Sequence, residues 1–107
     1  MIEILRYQKI DGQEPISEWL NSLQDKMLQT RVRIRLSQVE MGNFGDCRSV
    51  GDGVSELRIH VGAGYRVYFG RKGNAIVLLL CAGDKHSQST DIRQAKFFWE
   101  EWKQRQK

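Results

Sequence analysis

A chain of 107 residues with a single proline, no internal repeat and no Ser- or Gly-rich run has the size of one domain and no sign of a linker. Hydrophobic residues at 40% and charged residues at 28% exclude global disorder and leave enough apolar matter for a modest core. The 17 Lys and Arg against 13 Asp and Glu give a net charge of +4, which suits a nucleic-acid partner without requiring one.

Ile2–Tyr7 carries β-formers in partial alternation and reads as a first strand, broken by Asp11-Gly12. Pro15 suits the first turn of a helix, and Ile16, Trp19, Leu20 and Leu23 follow at helical spacing. Asp25 can cap a second helix whose buried stripe is Leu28, Val32, Leu36 and Val39, with Gly42 placed to end it. Arg31 and Arg35 share a face of that helix and Arg33 points away. They read either as a solvated surface or as a ridge that contacts phosphate or a partner.

Asn43–Val50 is a connector into a short strand, followed by a Gly51-Asp52-Gly53 turn. Val54–Val61 alternates, with Leu57, Ile59 and Val61 on one face and Glu56, Arg58 and His60 on the other. Gly62-Ala63-Gly64 reads as a three-residue hairpin loop, after which Tyr65, Val67 and Phe69 continue the apolar face. This predicts Val61 opposite Tyr65, Ile59 opposite Val67, His60 opposite Arg66 and Arg58 opposite Tyr68. Ala75–Ala82 is apolar on both faces, so it is expected to be a central strand covered on both sides and stopped by Gly83. Ser87 or Ser89 can cap a last helix with Ile92, Ala95, Trp99 and Trp102 as its stripe and Phe98 beside it. These aromatics read as core rather than as a base-stacking platform. Lys103–Lys107 is polar and expected to fray. The order β-α-α-β-β-β-β-α, with two early helices before an antiparallel meander, is an α+β pattern.

The N-terminal stretch MIEILRYQKI lacks the apolar core of a signal peptide, and Ala75–Ala82 is too short to cross a bilayer. Cys47 and Cys81 lie far apart without a CxxC motif, so reduced thiols in a cytoplasmic protein are expected, with Cys81 in the core. No metal-ligand spacing, phosphate-cradling Gly-rich loop or nucleophile–base pattern is present, and no cofactor is expected.

The remaining chemistry is cationic. Arg58 and Arg66 share the polar side of one hairpin, either for solubility or as a phosphate-binding surface. Lys85 and His86 follow the apolar strand at a helix N-terminus, where an anion is favoured. His60 and His86 are the side chains suited to proton transfer near neutrality.

The runs ELRIHVGAGYRVYF (Glu56–Phe69), IVLLLCAGDKHSQ (Ile76–Gln88) and DIRQAKFFW (Asp91–Trp99) closely resemble the addiction-module killer proteins. So does PISEWLNSL (Pro15–Leu23), which is followed by an arginine-rich helix. These are HigB-like toxins of the RelE/ParE superfamily, from bacterial type II toxin–antitoxin modules. The resemblance implies a RelE-like fold, with two N-terminal helices and a C-terminal helix around a twisted, mainly antiparallel sheet. It implies a growth-inhibiting toxin neutralised by a small helix-turn-helix antitoxin, the complex binding its own operator DNA. It also implies a metal-independent endoribonuclease that cuts mRNA on the ribosome by attack of a ribose 2′-OH on the adjacent phosphate.

Carried over by motif, Arg66 would stabilise the phosphate, while Arg58 and Lys85 match basic positions on the preceding strand and after the last strand. His60 and His86 would be the acid and base, and Gln88 belongs to the motif. The chain has no tyrosine in Ser87–Trp99, where RelE-like members carry one, and has Lys85-His86 where Lys-Lys is frequent. Two other roles resemble those of relatives: inhibition of DNA gyrase, as in ParE, or operator binding with the antitoxin without toxicity.

Overall fold

The computed structural model describes residues 1–107. Strand β1 (Glu3–Arg6) precedes helices α1 (Pro15–Ser22) and α2 (Lys26–Glu40). Strands β2 (Cys47–Gly51), β3 (Val54–Ile59), β4 (Tyr65–Lys72) and β5 (Ile76–Asp84) follow, and a 3-10 turn (Lys85–Ser87) opens α3 (Gln88–Arg105). The five strands form one mixed sheet in the order β1-β5-β4-β3-β2. β2 to β5 are an antiparallel meander, and β1 lies parallel to β5. The class is α+β, with the element order read from the sequence.

Local chemistry explains most boundaries. Pro15 opens α1, where its missing N–H has no helical partner to lose. The Asp25 carboxylate accepts from the Met27 and Leu28 amides and caps α2. Gly42 follows the C-terminal end of α2 with φ +89°, a left-handed conformation that a side chain would strain.

Alternation then divides the core between the two sheet faces. Leu57, Ile59, Val67, Phe69, Val77 and Leu79 pack with Ile16 of α1 and with Leu28, Val32 and Val39 of α2. Val54, Tyr68, Leu78, Leu80 and Cys81 pack with Tyr7 and with Ala95, Phe98 and Trp99 of α3. β5 is thus covered on both faces, as its unbroken apolar run implied. Phe98 and Trp99 of α3 are core residues, Trp102 is half-buried and stacks on Trp99 at 5.5 Å, and Phe97 is exposed.

Four local expectations are corrected. The β3–β4 loop spans residues 60–64, not three residues, and Ile59 faces Tyr65, Leu57 faces Val67, Arg58 faces Arg66 and Glu56 faces Tyr68. The Val61 amide donates to the Ile59 carbonyl and the Gly64 amide to the Val61 carbonyl, so the turn consumes groups that the ladder would need. The shift is two residues, which preserves which side chains share a face.

Gly83 does not end β5, which continues to Asp84. A Cβ there would overlap Asp91 Oδ2 and come within 2.6 Å of Ser87 Oγ, so the glycine permits close packing of α3 on the strand. Ser87 does not cap α3 through its side chain. The Asp84 carboxylate accepts from the His86 and Ser87 amides instead. Finally, α3 runs to Arg105, whose guanidinium pairs with Glu101 and donates to the Gln8 carbonyl at 2.6 Å, so most of the tail is held.

Candidate functional site

On the α3 side of the sheet, α3 packs mainly on β4 and β5, and Arg58 of β3 remains partly exposed. Glu56 and Arg58 of β3 reach that side because they are two residues apart in one strand. Arg66 lies directly across from Arg58, and Tyr68 across from Glu56. Two like charges facing each other across adjacent strands repel.

The compensation is Glu56, which is fully buried. Its Oε1 accepts from Arg48 Nε at 2.8 Å and from Arg58 Nε at 3.2 Å. Its Oε2 lies 3.8 Å from Arg66 Nε and accepts from Gln88 Nε2 at 3.3 Å. One carboxylate therefore anchors three guanidinium groups, which leaves two net positive charges at the cluster. All three arginines approach through Nε, so their terminal Nη nitrogens make no hydrogen bond within the chain. Exposure falls from Arg48 through Arg58 to Arg66, whose side chain is only 18% exposed. Arg48 and Arg58 have their inner nitrogens hydrogen-bonded, Arg66 is held only by ion pairing, and all three outer forks are free to grip a phosphate through paired donors.

Two buried polar atoms beside the cluster, Arg66 Nε and the Tyr68 hydroxyl, have no hydrogen-bond partner. Burial, then the nearby Glu56 charge, pushes the Tyr68 phenol well above its ordinary value, so it remains a neutral donor. At the adjoining strand end, Asp91 is buried against Gly83 and accepts from Ser87 Oγ at 2.5 Å. Burial raises its carboxyl above the usual range, Asp84 raises it further, and the Ser87 hydrogen bond opposes both.

Of the residues singled out in the sequence, Arg58 and Arg66 are brought together. Lys85 and His86 are exposed on the turn that begins one residue after the Tyr65–Asp84 pair, at the Arg66 end of the sheet but in no recorded contact with the arginines. His60 is not paired with Arg66: its Nε2 lies 2.5 Å from Asp46 Oδ2, just before β2, and the two line one pocket with Arg58. That hydrogen bond is the main cause that holds the exposed Asp46 carboxyl below its ordinary value. The predicted His60–Arg66 pairing fails because β3 ends at Ile59, which carries His60 into the loop. Arg35 is structural, donating to the carbonyls of Phe44, Asp46 and Arg58.

Glu56 and Arg48 were not among the sequence candidates. The available signal was an acid two residues before Arg58 on the same strand face; its meaning depended on the true register. Gln88, which had no chemical role, donates to Glu56 and ties α3 to the cluster. No group of three or more His, Cys, Asp or Glu side chains is placed to hold a metal ion, and both cysteines are unpaired. No helix is long and apolar enough to cross a membrane.

The profile of the phage-derived Gp49-like proteins (DUF891) matches residues 16–97, a span that contains α1, α2, the whole meander and most of α3. The chain is also 45% identical over 83 residues to an uncharacterized protein of Haemophilus influenzae, an alignment that covers 78% of this chain and 84% of that one.

Proposed function

Because the chain belongs to the Gp49-like family, a RelE/HigB-type family associated with the toxins of toxin–antitoxin modules, we propose that it cleaves mRNA on the ribosome. The observation that carries this reading is the Arg58–Arg66 pair beside Glu56, Arg58 hydrogen-bonded to it and Arg66 ion-paired with it, with the outer nitrogens of both free. Two guanidinium groups at one strand pair match a phosphodiester, and they match its transition state better, because charge builds on the non-bridging oxygens as a fifth bond forms.

In the proposed reaction the ribose 2′-oxygen bonds to phosphorus and the bond from phosphorus to the 5′-oxygen breaks. A cyclic phosphate and a 5′-hydroxyl result. The 2′-OH proton leaves to a base, and the 5′-oxygen receives one from an acid. Arg66, the most buried of the three, is assigned the developing charge, and Arg58 and Arg48 the flanking phosphate oxygens. Glu56 is wrapped by donors and positions the arginines rather than moving a proton. His86 and Lys85, exposed at the Arg66 end, are the better placed proton-transfer groups on this chain, whereas His60 is engaged with Asp46. A ribosomal substrate places the activity in the cytoplasm. Toxin–antitoxin membership implies an antitoxin partner, and a helix-turn-helix antitoxin that carries the complex to operator DNA fits the same reading.

The test is mapping of mRNA 5′ ends by primer extension in a translating extract. The wild-type chain should produce new ends within translated regions. Arg66→Ala should reduce them by about 100-fold or more, the scale of losing one transition-state donor, while circular dichroism stays unchanged. Undiminished cleavage by folded Arg66→Ala would remove Arg66 from the site. Intact transcripts together with blocked gyrase supercoiling would replace the reading with gyrase inhibition.

A further inference from the structure

Helix α2 buries Leu28, Val32 and Val39 against the sheet, yet its opposite side is not polar throughout. Met27, Ile34 and Met41 are 66, 48 and 75% exposed. They recur every seven residues, with Met41 at the C-cap of α2, so they drift only about 20° per step and form one stripe, about 21 Å long. Thr30 and Ser37, also exposed, lie beside them at three-residue offsets. The result is a seam of large apolar residues alternating with small ones, the pattern that takes knobs from a second helix.

The exposed charges that flank it on α2 are cationic, and Asp46, engaged by His60, is the one acid that lines the pocket beside Ile34 and Arg31. Arg31 lies on one side, and Lys26 and Arg33 on the other. All three are exposed and none joins an ion pair of the chain. A second copy of this chain would set these cations against themselves. A helix with apolar anchors and acidic flanks would neutralise them and cover the seam in one step.

We propose that the Met27–Ile34–Met41 face of α2 is the docking site for an acidic amphipathic helix of the antitoxin. The face lies across the sheet from Arg66, but Ile34 and Arg31 line one pocket with Arg58 and His60, so an occupant of the face reaches the edge of the arginine cluster. This inference rests on toxin–antitoxin membership and not on the ribonuclease reading.

The test uses the purified cognate antitoxin, titrated calorimetrically into the full-length chain. Ile34→Glu places an acid at the centre of the seam and should weaken binding by about thirtyfold or more, the scale of losing a central anchor. Arg31→Glu with Arg33→Glu should weaken it by about tenfold, with most of the effect vanishing at high salt. Exposed substitutions there leave the core intact, which melting curves check. Growth arrest by unopposed Ile34→Glu reports separately on toxicity. Unchanged affinity in both variants overturns the proposal. So does a wild-type dimer in sedimentation that Ile34→Glu converts to monomer, which would assign the face to self-association.

Discussion

Glu56 shows how one residue can hold a site together without acting in it. A fully buried carboxylate is costly alone, and the three guanidinium groups around it offset that cost while it offsets part of their mutual repulsion. Glu56→Gln keeps the shape and removes the charge. It should destabilise the fold by about 2–3 kcal/mol, toward the low end for buried pairs because Arg48 and Arg58 are partly solvated. Urea denaturation measures this, and adding Arg66→Gln should restore part of the loss by removing one unpaired cation. An unchanged midpoint in Glu56→Gln would show that the arginines do not need it.

Asp91 provides a pH-dependent counterpart. Its folded carboxyl titrates above the unfolded value because burial penalises the anion. Its contribution to stability is therefore complete below about pH 4 and is lost as pH rises through the raised folded value. Asp91→Asn cannot ionise. The melting temperature of the variant should gain on that of the wild type as pH climbs from about 3 to 7, and a gap constant with pH would contradict the assignment.

At the scale of elements, the junction of β5 with α3 is set by close approach. Gly83 has no positive φ to justify it; its role is to admit Asp91 and Ser87 against the strand. Gly83→Ala should cost about 1–3 kcal/mol as an overpacking change, read from the denaturation midpoint. A neutral result would mean that α3 can shift outward freely. Because Gly83 pairs with Arg66, displacement of α3 should also loosen Gln88 from Glu56. The hairpin before it carries the complementary lesson. Alternation assigned Leu57, Ile59, Val67 and Phe69 to one face and Arg58 and Arg66 to the other, and both assignments hold. The loop length did not follow from the glycines, because turn hydrogen bonds inside residues 59–64 shorten the ladder.

Over the whole molecule, cations gather at two places. One holds arginines gathered on a buried acid, and the other holds cations flanking an apolar stripe on α2. The two proposals therefore make a crossed expectation for the variants already named. Arg66→Ala should lose cleavage and still bind antitoxin, and Ile34→Glu should lose antitoxin and still arrest growth. Loss of both functions in either variant would mean that the two faces are coupled.

The element order, the α+β class, the two-sided cover of β5 and the placement of Arg58 and Arg66 on one face were legible in the residues, because periodicity reports which side chains point the same way. The parallel addition of β1 to β5, the two-residue shift of the hairpin, the engagement of His60 with Asp46 and the central place of Glu56 were decided by tertiary structure. A strand pattern fixes the parity of side chains but not how far one strand slides along its neighbour. The contacts of Arg48, Arg58, Arg66 and Gln88 with one carboxylate depend on that slide.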